Sequence, residues 1–458
     1  MKYIFLLISL FTFNFLQAQV TGVVKDAAGE PIPGANVFWM NTTNGVTTNE
    51  DGNFSIHKPA RSHMLVVSFI GFENDTIHVD KGNQQLDIVL REGVELSEVN
   101  VVTRKLGTMK LRTSVMNEDM ISSAELTRAA CCNLGESFVT NPSVDVSYSD
   151  AATGAKQIKL LGLSGTYVQM MTENIPNFRG AAAPYGLGYV PGPWMQSIQV
   201  SKGSSSVKNG YESITGQINV EFKKPQLPEA DWVSANLFAS STNRYEANAD
   251  ATVKLSKRWS TSLLAHYENE TKSHDSNDDG FVDIPRVEQY NVWNRWAYMG
   301  DHYVFQAGIK ALHETRNSGQ IAHGNTPSHD LYEIGIKTNR YEAFTKNAYI
   351  FDKEKNTNLA LILQGTLHNQ DANYGRKLYD VDQSNFYASL LFETELSKQH
   401  SLSAGLSFNY DGYDQNYRLT NQAEEGLTKK FVKESVPGAY VQYTFNLNDQ
   451  LMLMGGIR

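Results

Sequence analysis

The densest group of potential metal ligands in this sequence lies in one acidic segment. Side-chain oxygens alternate along it and a glycine follows, giving Asp275, Asn277, Asp279, Gly280 and Asp283. Alternating oxygen donors before a turn glycine fit the first half of a calcium-binding loop, but the bidentate glutamate that ends an EF-hand is missing. The segment therefore predicts a Ca²⁺ site that stiffens a loop. The alternative is a solvated acidic loop without an ion.

The two cysteines, Cys131 and Cys132, are adjacent, and three kinds of chemistry are open to them. They can be buried apolar residues, a vicinal disulfide, or soft thiolate ligands for an ion such as Cu(I). A helix starting near Asn133 would lower their pKa and favour the thiolate. Methionines of the same region could add thioethers, although methionine more often fills gaps in a core. These methionines are Met120, Met170, Met171 and Met195.

No catalytic arrangement is visible in the sequence. It contains no Gly-x-Ser-x-Gly elbow, no Walker loop and no His-Glu-x-x-His motif, and the string GLSGT at 162–166 indicates a turn between strands. The formal net charge of −9 argues against a nucleic-acid-binding protein. We therefore expect a protein that is not an enzyme and that requires no cofactor.

The N-terminus has the pattern of a secretory signal peptide. Met1 and Lys2 precede an apolar run from Tyr3 to Leu16, and the small residue Ala18 follows. The run is shorter than the roughly 20 apolar residues of a membrane-spanning helix. Residues 1–18 are therefore predicted to be removed. The rest of the chain has no long apolar stretch, so it is either secreted or inserted as a β-barrel.

Residues 19–91 consist of short β-like runs separated by Gly, Pro and Asp-Gly turns, which predicts a small β-sandwich. From 229 to 458 the segments are longer and alternate strictly between apolar and polar residues, as in Tyr303–Ala311 and Ser401–Tyr410. This two-residue period is typical of strands with one face in lipid and one in a polar lumen. The overall prediction is a mainly β protein that ends in part of a transmembrane antiparallel β-barrel. Large transporter barrels have about 22 strands, and the segment supplies about half of them, so we expect a truncated chain.

Several strings resemble known families. The strings GVVKDAAGEPIPGANV, TTNEDGNF and SFIGFE, all within 19–91, resemble the carboxypeptidase-regulatory-like domain. Within 113–225, the strings NPSVDVSY, IKLLGLSGTYVQMMTENIP and MQSIQVSKGSSSVKNGYESITGQINVEFKKP closely resemble the plug domain of TonB-dependent outer-membrane receptors. This resemblance implies an α/β plug inside the barrel, and the periplasm as the location of the N-terminal domain.

The linker 92–112 contains a strip that is similar to a TonB box, the segment gripped by the periplasmic energy-transducing protein. Its core is Val99, Asn100, Val101, Val102 and Thr103. An exposed extended strip of this kind can add as a strand to the edge of a partner's sheet. The alternative is an ordinary linker strand.

The loop from Asn177 to Trp194 is rich in Gly, Pro and aromatic residues, and within a plug it would face the substrate. Its candidate ligand contacts are Arg179, Tyr185, Tyr189 and Trp194. Alternatively, these aromatic residues wedge the plug against the barrel.

The resemblance implies TonB-dependent import of a scarce nutrient such as a metal ion, a metal chelate or a siderophore, with copper as one option because of the cysteines. The implied partners are the inner-membrane TonB complex, outer-membrane lipid and the substrate. The rival interpretation is a barrel-anchored binding or adhesion protein without transport.

Overall fold

The computed structural model forms two compact units, residues 1–103 and 104–458. It describes residues 19–26, 29–40, 42, 44–59, 63–69, 72, 75–80, 85–90, 108–110, 117–129, 131–139, 141–203, 206–225, 232–321, 331–420, 428–448 and 451–458. Within these residues, no helix combines the length and the apolar character needed to cross a membrane. The predicted signal peptide 1–18 lies outside them.

The N-terminal unit is the predicted two-sheet structure. Its strands are β1 (Gln19–Lys25), β2 (Asn36–Trp39), β3 (Gly45–Thr47), β4 (Asn53–His57), β5 (Met64–Ser68), β6 (Asp75–His78) and β7 (Gln85–Val89). One sheet has the order β4-β1-β7 and the other the order β3-β2-β5-β6. Alternate residues of the strands, among them Val20, Val37 and Trp39, fill one core with no exposed surface. The alternation in the sequence therefore reports the inner face directly.

The plug is the first part of the second unit, and its main sheet has six strands in the order β14-β13-β16-β15-β9-β8. These strands are β8 (Thr108–Lys110), β9 (Asn117–Ser122), β13 (Val168–Thr172), β14 (Ile175–Pro176), β15 (Met195–Lys202) and β16 (Gly216–Phe222). A smaller sheet contains β10 (Val144–Asp150), β11 (Ala155–Leu160) and β12 (Leu163–Ser164). Ser122 and Glu125 have the spacing of a capping box, which predicts a helix start at this point of the sequence. The α-helix α1 (Ser123–Arg128) begins there, and the Ser122 hydroxyl accepts a hydrogen bond from the Glu125 amide.

The sequence after the cysteines also predicts a second plug helix over 133–140. This prediction is wrong, because the described part of that range contains a 3-10 turn, Glu136–Phe138, in place of an α-helix. Backbone groups that would form helical hydrogen bonds instead pair with a neighbouring loop. The Leu134 amide donates to the carbonyl of Val190, and Asn133 forms an antiparallel bridge with Pro191. The residues after the cysteines are thus tied to a neighbouring loop rather than coiled.

The remaining strands form one antiparallel sheet of eleven consecutive strands, here called the wall sheet. They are β17 (Val233–Ala239), β18 (Arg244–Lys254), β19 (Trp259–Glu270), β20 (Arg286–Met299), β21 (Tyr303–Gly319), β22 (Glu333–Asp352), β23 (Thr357–Tyr374), β24 (Lys377–Ser397), β25 (His400–Leu419), β26 (Thr428–Asn448) and β27 (Leu451–Ile457). Its buried face is polar and its exposed face is apolar. On β25, Leu406 is 58% exposed whereas Ser403 and Asn409 are buried. This inversion matches the lipid-facing prediction.

The two ends of the wall sheet differ. The segments 271–285, 320–332 and 420–427 separate strands at one end, whereas 300–302, 353–356 and 398–399 do so at the other. Exposed aromatic residues lie near both ends, for example Tyr245 and Phe431 at the first end and Trp259 and Tyr349 at the second. Barrels of outer membranes carry aromatic girdles and have their longer loops outside and their short turns in the periplasm. The end with the long segments is called the outer end below.

Leu406 offers a test of the lipid-facing prediction. Leu406→Arg places a charge at the middle of the apolar run on β25 and should lower the free energy of unfolding in bilayers by about 2–4 kcal/mol. The measurement is urea titration of the full-length protein folded into lipid vesicles. Leu406→Ala is the control, with a small effect expected. If Leu406→Arg leaves the free energy of unfolding unchanged, this face of the sheet lies in water.

Candidate functional site

The plug loop 177–194 packs against the inner face of the wall sheet. Trp194 and Tyr189 have no exposed surface. The ring of Trp194 lies 6.2 Å from that of Trp293, and the ring of Tyr189 lies 6.3 Å from that of His368. In this arrangement neither Trp194 nor Tyr189 is available to a ligand. Their packing is that of wedges between plug and wall, which is the alternative that the sequence left open. A ligand role for Tyr189 and Trp194 stays a prediction.

Arg179 and Tyr185, the other two residues predicted to face a ligand, also contact the wall. Arg179 binds Asp411 of β25 at 2.8 Å and Glu212 of the plug at 2.5 Å. Burial opposes the charge of Arg179, but Glu212 and Asp411 outweigh it and hold the pKa above its ordinary value. The guanidinium of Arg316 lies 4.9 Å from the centre of the Tyr185 ring. A ligand role for either residue remains a prediction.

Glu173 of the plug is held by two cations of the wall. Its carboxylate lies 2.6 Å from Arg295 and 3.5 Å from Lys346, and both Glu173 and Arg295 are almost completely buried. Burial would raise the pKa of Glu173, but Arg295 and Lys346 outweigh it and hold the pKa below the usual range. The charge of Glu173 is thus matched by the wall rather than by its own domain.

A second contact centres on Asn177, whose side chain bridges an ion pair of β22. Its oxygen accepts a hydrogen bond from Arg340 at 2.6 Å, and its amide nitrogen donates to Glu342 at 3.0 Å. Lys310 of β21 lies 3.6 Å from the same Glu342. Sequence reasoning missed these residues. The sequence signal for them is a charged residue at a polar, inward-facing position of a strand that alternates between apolar and polar residues.

A cavity of about 350 Å³ lies between plug and wall at the outer end. Three aromatic rings of its lining make cation–π contacts, namely Tyr148 with Lys156, Phe238 with Arg244 and Tyr185 with Arg316. The carboxylates of Glu136, Glu268 and Glu270 also line it, and so does Cys132. This is the place where a small molecule has room beside charged and aromatic groups of both domains.

The cysteines are buried and are not joined as a disulfide. Burial raises the pKa of both thiols, and the nearby Glu246 raises that of Cys132 further. The prediction that a helix start lowers their pKa is therefore wrong, because no helix starts there. None of the four methionines lines the cavity beside Cys132. A Cβ at Gly192 would lie 1.7 Å from the Cys131 carbonyl oxygen, so this segment needs glycine opposite it.

In the acidic segment the carboxylates bond to the loop's own backbone. Asp275 accepts from the amides of Asp279 and Gly280 at 3.1 and 2.9 Å, and Asp283 accepts from the amide of Ser276 at 2.7 Å. That bond from Ser276 lowers the pKa of Asp283. In the described part of the chain, no group of three His, Cys, Asp or Glu side chains is placed to share one metal ion. Calcium at Asp275, Asn277, Asp279 and Asp283 thus stays a prediction.

The TonB-box-like strip Val99–Thr103 lies outside the described residues, as does most of the linker 92–112. Family models match the two domains that the sequence resembles. The CarboxypepD_reg-like domain matches residues 20–102. The TonB-dependent Receptor Plug Domain matches residues 110–217.

Among known proteins, the TonB-dependent receptor SusC of Bacteroides thetaiotaomicron is 28% identical over 245 residues, which is 50% of this chain and 24% of SusC. The fold is similar to that of the ferripyoverdine receptor of the outer membrane of Pseudomonas aeruginosa (TM-score 0.62, 13% identity, 80% of this chain and 56% of the receptor). It is also similar to that of the copper transporter OprC (TM-score 0.60, 12% identity, 76% and 54%). The chain thus spans about a quarter of SusC and about half of these solved structures.

Glu173 provides a test of the plug–wall contact. Glu173→Gln leaves Arg295 buried without its counter-charge. The free energy needed to open the plug should therefore fall by about 3–5 kcal/mol. Urea-dependent protease cleavage of the plug in the full-length protein measures this. Because the pKa of Glu173 is lower in the native state, its contribution to the stability of the seated plug is fully present above the unfolded-state pKa of about 4.3. This contribution is lost as the pH falls from that value towards the native pKa.

Two variants complete this test. Asp145→Asn removes an exposed plug carboxylate and should change little. Glu173→Gln combined with Arg295→Met removes both charges and should recover part of the loss. Equal cleavage of the wild type and Glu173→Gln would show that this ion pair does not seat the plug.

Proposed function

Because the chain is a TonB-dependent receptor of the outer membrane with an N-terminal CarboxypepD_reg-like domain, we propose that it imports a scarce nutrient from outside into the periplasm. The supporting observation is the plug seated against the polar face of a sheet whose other face is apolar. A plug in such a position blocks a lumen, so transport requires that the plug move.

The proposed energy source is mechanical. The outer membrane has no ATP, so force must arrive through a partner, the inner-membrane TonB complex. The strip Val99–Thr103 precedes the plug in the sequence and is suited to strand addition, because its β-branched residues favour an extended chain. Substrate binding at the outer end shifts the population of the segment before the plug, and pulling on the strip then remodels the plug.

The plug–wall contacts are suited to such a cycle. Beside a shared apolar cluster they include ion pairs and hydrogen bonds, such as Arg179–Asp411 and Arg295–Glu173. When the plug moves, polar groups of this kind can form hydrogen bonds to water in place of those to the wall. Apolar surface that becomes exposed to water has no such compensation. The same contacts hold the plug firmly in the resting state because separating a buried pair without water is unfavourable.

For the substrate we propose a metal ion, a metal chelate or a siderophore. Support comes from the fold shared with a ferripyoverdine receptor and a copper transporter. The cavity between plug and wall has the size of a site for a small molecule. The substrate is expected to meet this cavity first, because the cavity lies at the outer end.

The rival function is surface binding or adhesion without transport, by a sandwich domain on a barrel anchor. Such a protein has no need of a plug. The chain devotes 110–217 to a plug domain, which favours import.

Removal of the strip tests the proposal. Deletion of Val99–Thr103 in the full-length protein should abolish import and leave ligand binding at the surface unchanged, because only the grip of the partner is lost. Uptake of labelled metal chelates into cells and binding to energy-depleted cells measure the two steps. Deletion of Glu92–Leu96, five residues of the same linker, is the control. Undiminished uptake without the strip contradicts TonB-driven import.

A further inference from the structure

The inner face of the wall sheet continues past the plug towards the outer end on β24, β25 and β26. The plug loop contacts this face through the amide of Ala181, which donates to Gln383, and through Arg179, which binds Asp411. Because side chains alternate across a strand, every second residue further out shares that face. Five of these residues are called the mouth patch below: Lys377 and Tyr379 of β24, Gln415 and Tyr417 of β25, and Lys430 of β26.

The members of the mouth patch lie close enough together to contact one ligand. Tyr379 lies directly opposite Tyr417, and Gln415 lies directly opposite Lys430. Cβ atoms directly opposite each other are about 4.5–5.5 Å apart, and diagonal neighbours are about 7–8 Å apart. Lys377 and Lys430 are diagonal neighbours of Tyr417, one on each side. The ring of Tyr417 thus lies between two lysines.

The charges and the central ring of the mouth patch are accessible. Lys377 and Lys430 are exposed, and neither makes an ion pair with another residue that the structure describes. Tyr417 is 40% exposed, and no cation or second ring of the described chain packs against its ring. The mouth patch differs in this respect from the cavity beside β18 to β21, where the rings of Tyr148 and Phe238 are covered by the chain's own cations.

The carboxylates of the same strands leave the positive charge of the mouth patch uncompensated. Asp411 and Glu434 lie opposite each other on the inner face, below the patch. Arg179 binds Asp411, and Glu434 is four residues from Lys430, which is about 13 Å along the strand. The other carboxylates at this height occupy the intervening positions and point to the opposite face; they are Asp371, Asp380, Asp382 and Asp414. The inner face therefore attracts anions here.

The hydrogen-bonding groups of the mouth patch are available mainly as donors. The Tyr379 hydroxyl donates to Oε1 of Gln415 at 2.9 Å, which leaves the amide nitrogen of Gln415 to donate to a ligand. The two ammonium groups can only donate. A ligand with several ionised oxygens matches this set, since hydrogen bonds between charged groups are the stronger ones. A bare metal cation would be repelled by the lysines, and the patch offers it no thiol, imidazole or carboxylate.

We infer that the mouth patch binds a metal chelate whose ionised oxygens give it a net negative charge. Lys377 and Lys430 supply the counter-charges, and the ring of Tyr417 packs against the chelate. The inference rests on the proposed import of a metal ion, a metal chelate or a siderophore, and it narrows that class to anionic chelates. Since the patch lies just outside the plug loop 177–194, a chelate bound there is held on the outer side of the plug.

The test measures binding of three ferric chelates to the purified full-length protein in detergent. Ferric citrate and the ferric complex of 2,3-dihydroxybenzoate are anionic, whereas ferrioxamine B is cationic. Lys377→Gln and Lys430→Gln should each weaken binding of the anionic chelates about threefold to fivefold, because exposed ion pairs are individually modest. The double variant should weaken it about tenfold or more.

Lys429→Gln is the matched control for the two lysines. Lys429 precedes Lys430 in the chain and is also exposed, but it lies opposite Asn416 and points to the other face of the sheet. The variant changes the net charge by the same amount, so binding of the anionic chelates should be unchanged. An effect of Lys429→Gln as large as that of Lys430→Gln overturns the inference, because the net charge alone would then explain the binding.

Two further variants separate the charge from the ring. Lys430→Glu should remove binding of the anionic chelates while the β-sheet circular dichroism of the wild type remains. Tyr417→Leu should weaken binding more than Tyr417→Phe, which keeps the ring. Higher salt should weaken binding of the anionic chelates to the wild type, because the exposed charges are then screened. The inference fails if neither anionic chelate binds, or if ferrioxamine B binds at least as tightly as both.

This experiment is separate from the test of import. Chelate binding that depends on Lys377 and Lys430, in a protein whose uptake ignores the strip Val99–Thr103, would retain the mouth patch and reject TonB-driven import. Uptake that depends on the strip, with chelate affinity insensitive to both lysines, would retain the transporter and reject the mouth patch as the chelate site.

Discussion

The structure depends on one constraint: a sheet in lipid must present apolar side chains outward and satisfy every backbone hydrogen bond itself. The wall sheet meets it with eleven antiparallel strands and an exposed apolar face. Since side chains alternate across a strand, the other face is free to be polar. The buried interior of this protein therefore contains Arg295, Glu314 and His368, residue types that the core of a soluble domain seldom buries.

That polar interior determines how the plug is held. Buried ion pairs add little net stability compared with apolar packing, but removing one partner is costly, so they specify position more than strength. Glu173, Asn177 and Arg179 follow one another closely in the chain and each meets a different part of the wall, on β20, β22 and β25 respectively. Three contacts within seven residues fix this loop of the plug in one register against the wall sheet.

The cavity exists because this loop does not fill all the space beside β18 to β21. Trp194 and Tyr189 occupy the deep positions, and the outer end is left to shorter and charged side chains. The same segment that seats the plug therefore shapes the site for a small molecule. Movement of this loop during transport would change the cavity and the plug–wall contacts together. Substrate binding and release of the plug would then be coupled through the same loop.

The sequence by itself determined the classes of structure. The short β-like runs between turns in 19–91 and the alternation in 229–458 predicted the strands, and Ser122 predicted the start of α1, because turn signals, strand periodicity and helix capping are local properties. It also marked the plug through its motifs. The tertiary structure decided the site. Glu173 with Arg295, and Asn177 with Arg340, are more than a hundred residues apart in the chain, and no local pattern pairs them. The sequence favoured a helix after Cys132, but the carbonyl of Val190 took the amide of Leu134. Aromatic residues in a Gly- and Pro-rich loop look the same in sequence whether they face a ligand or a wall; only the position of β19 to β23 around them shows that Tyr189 and Trp194 face the wall.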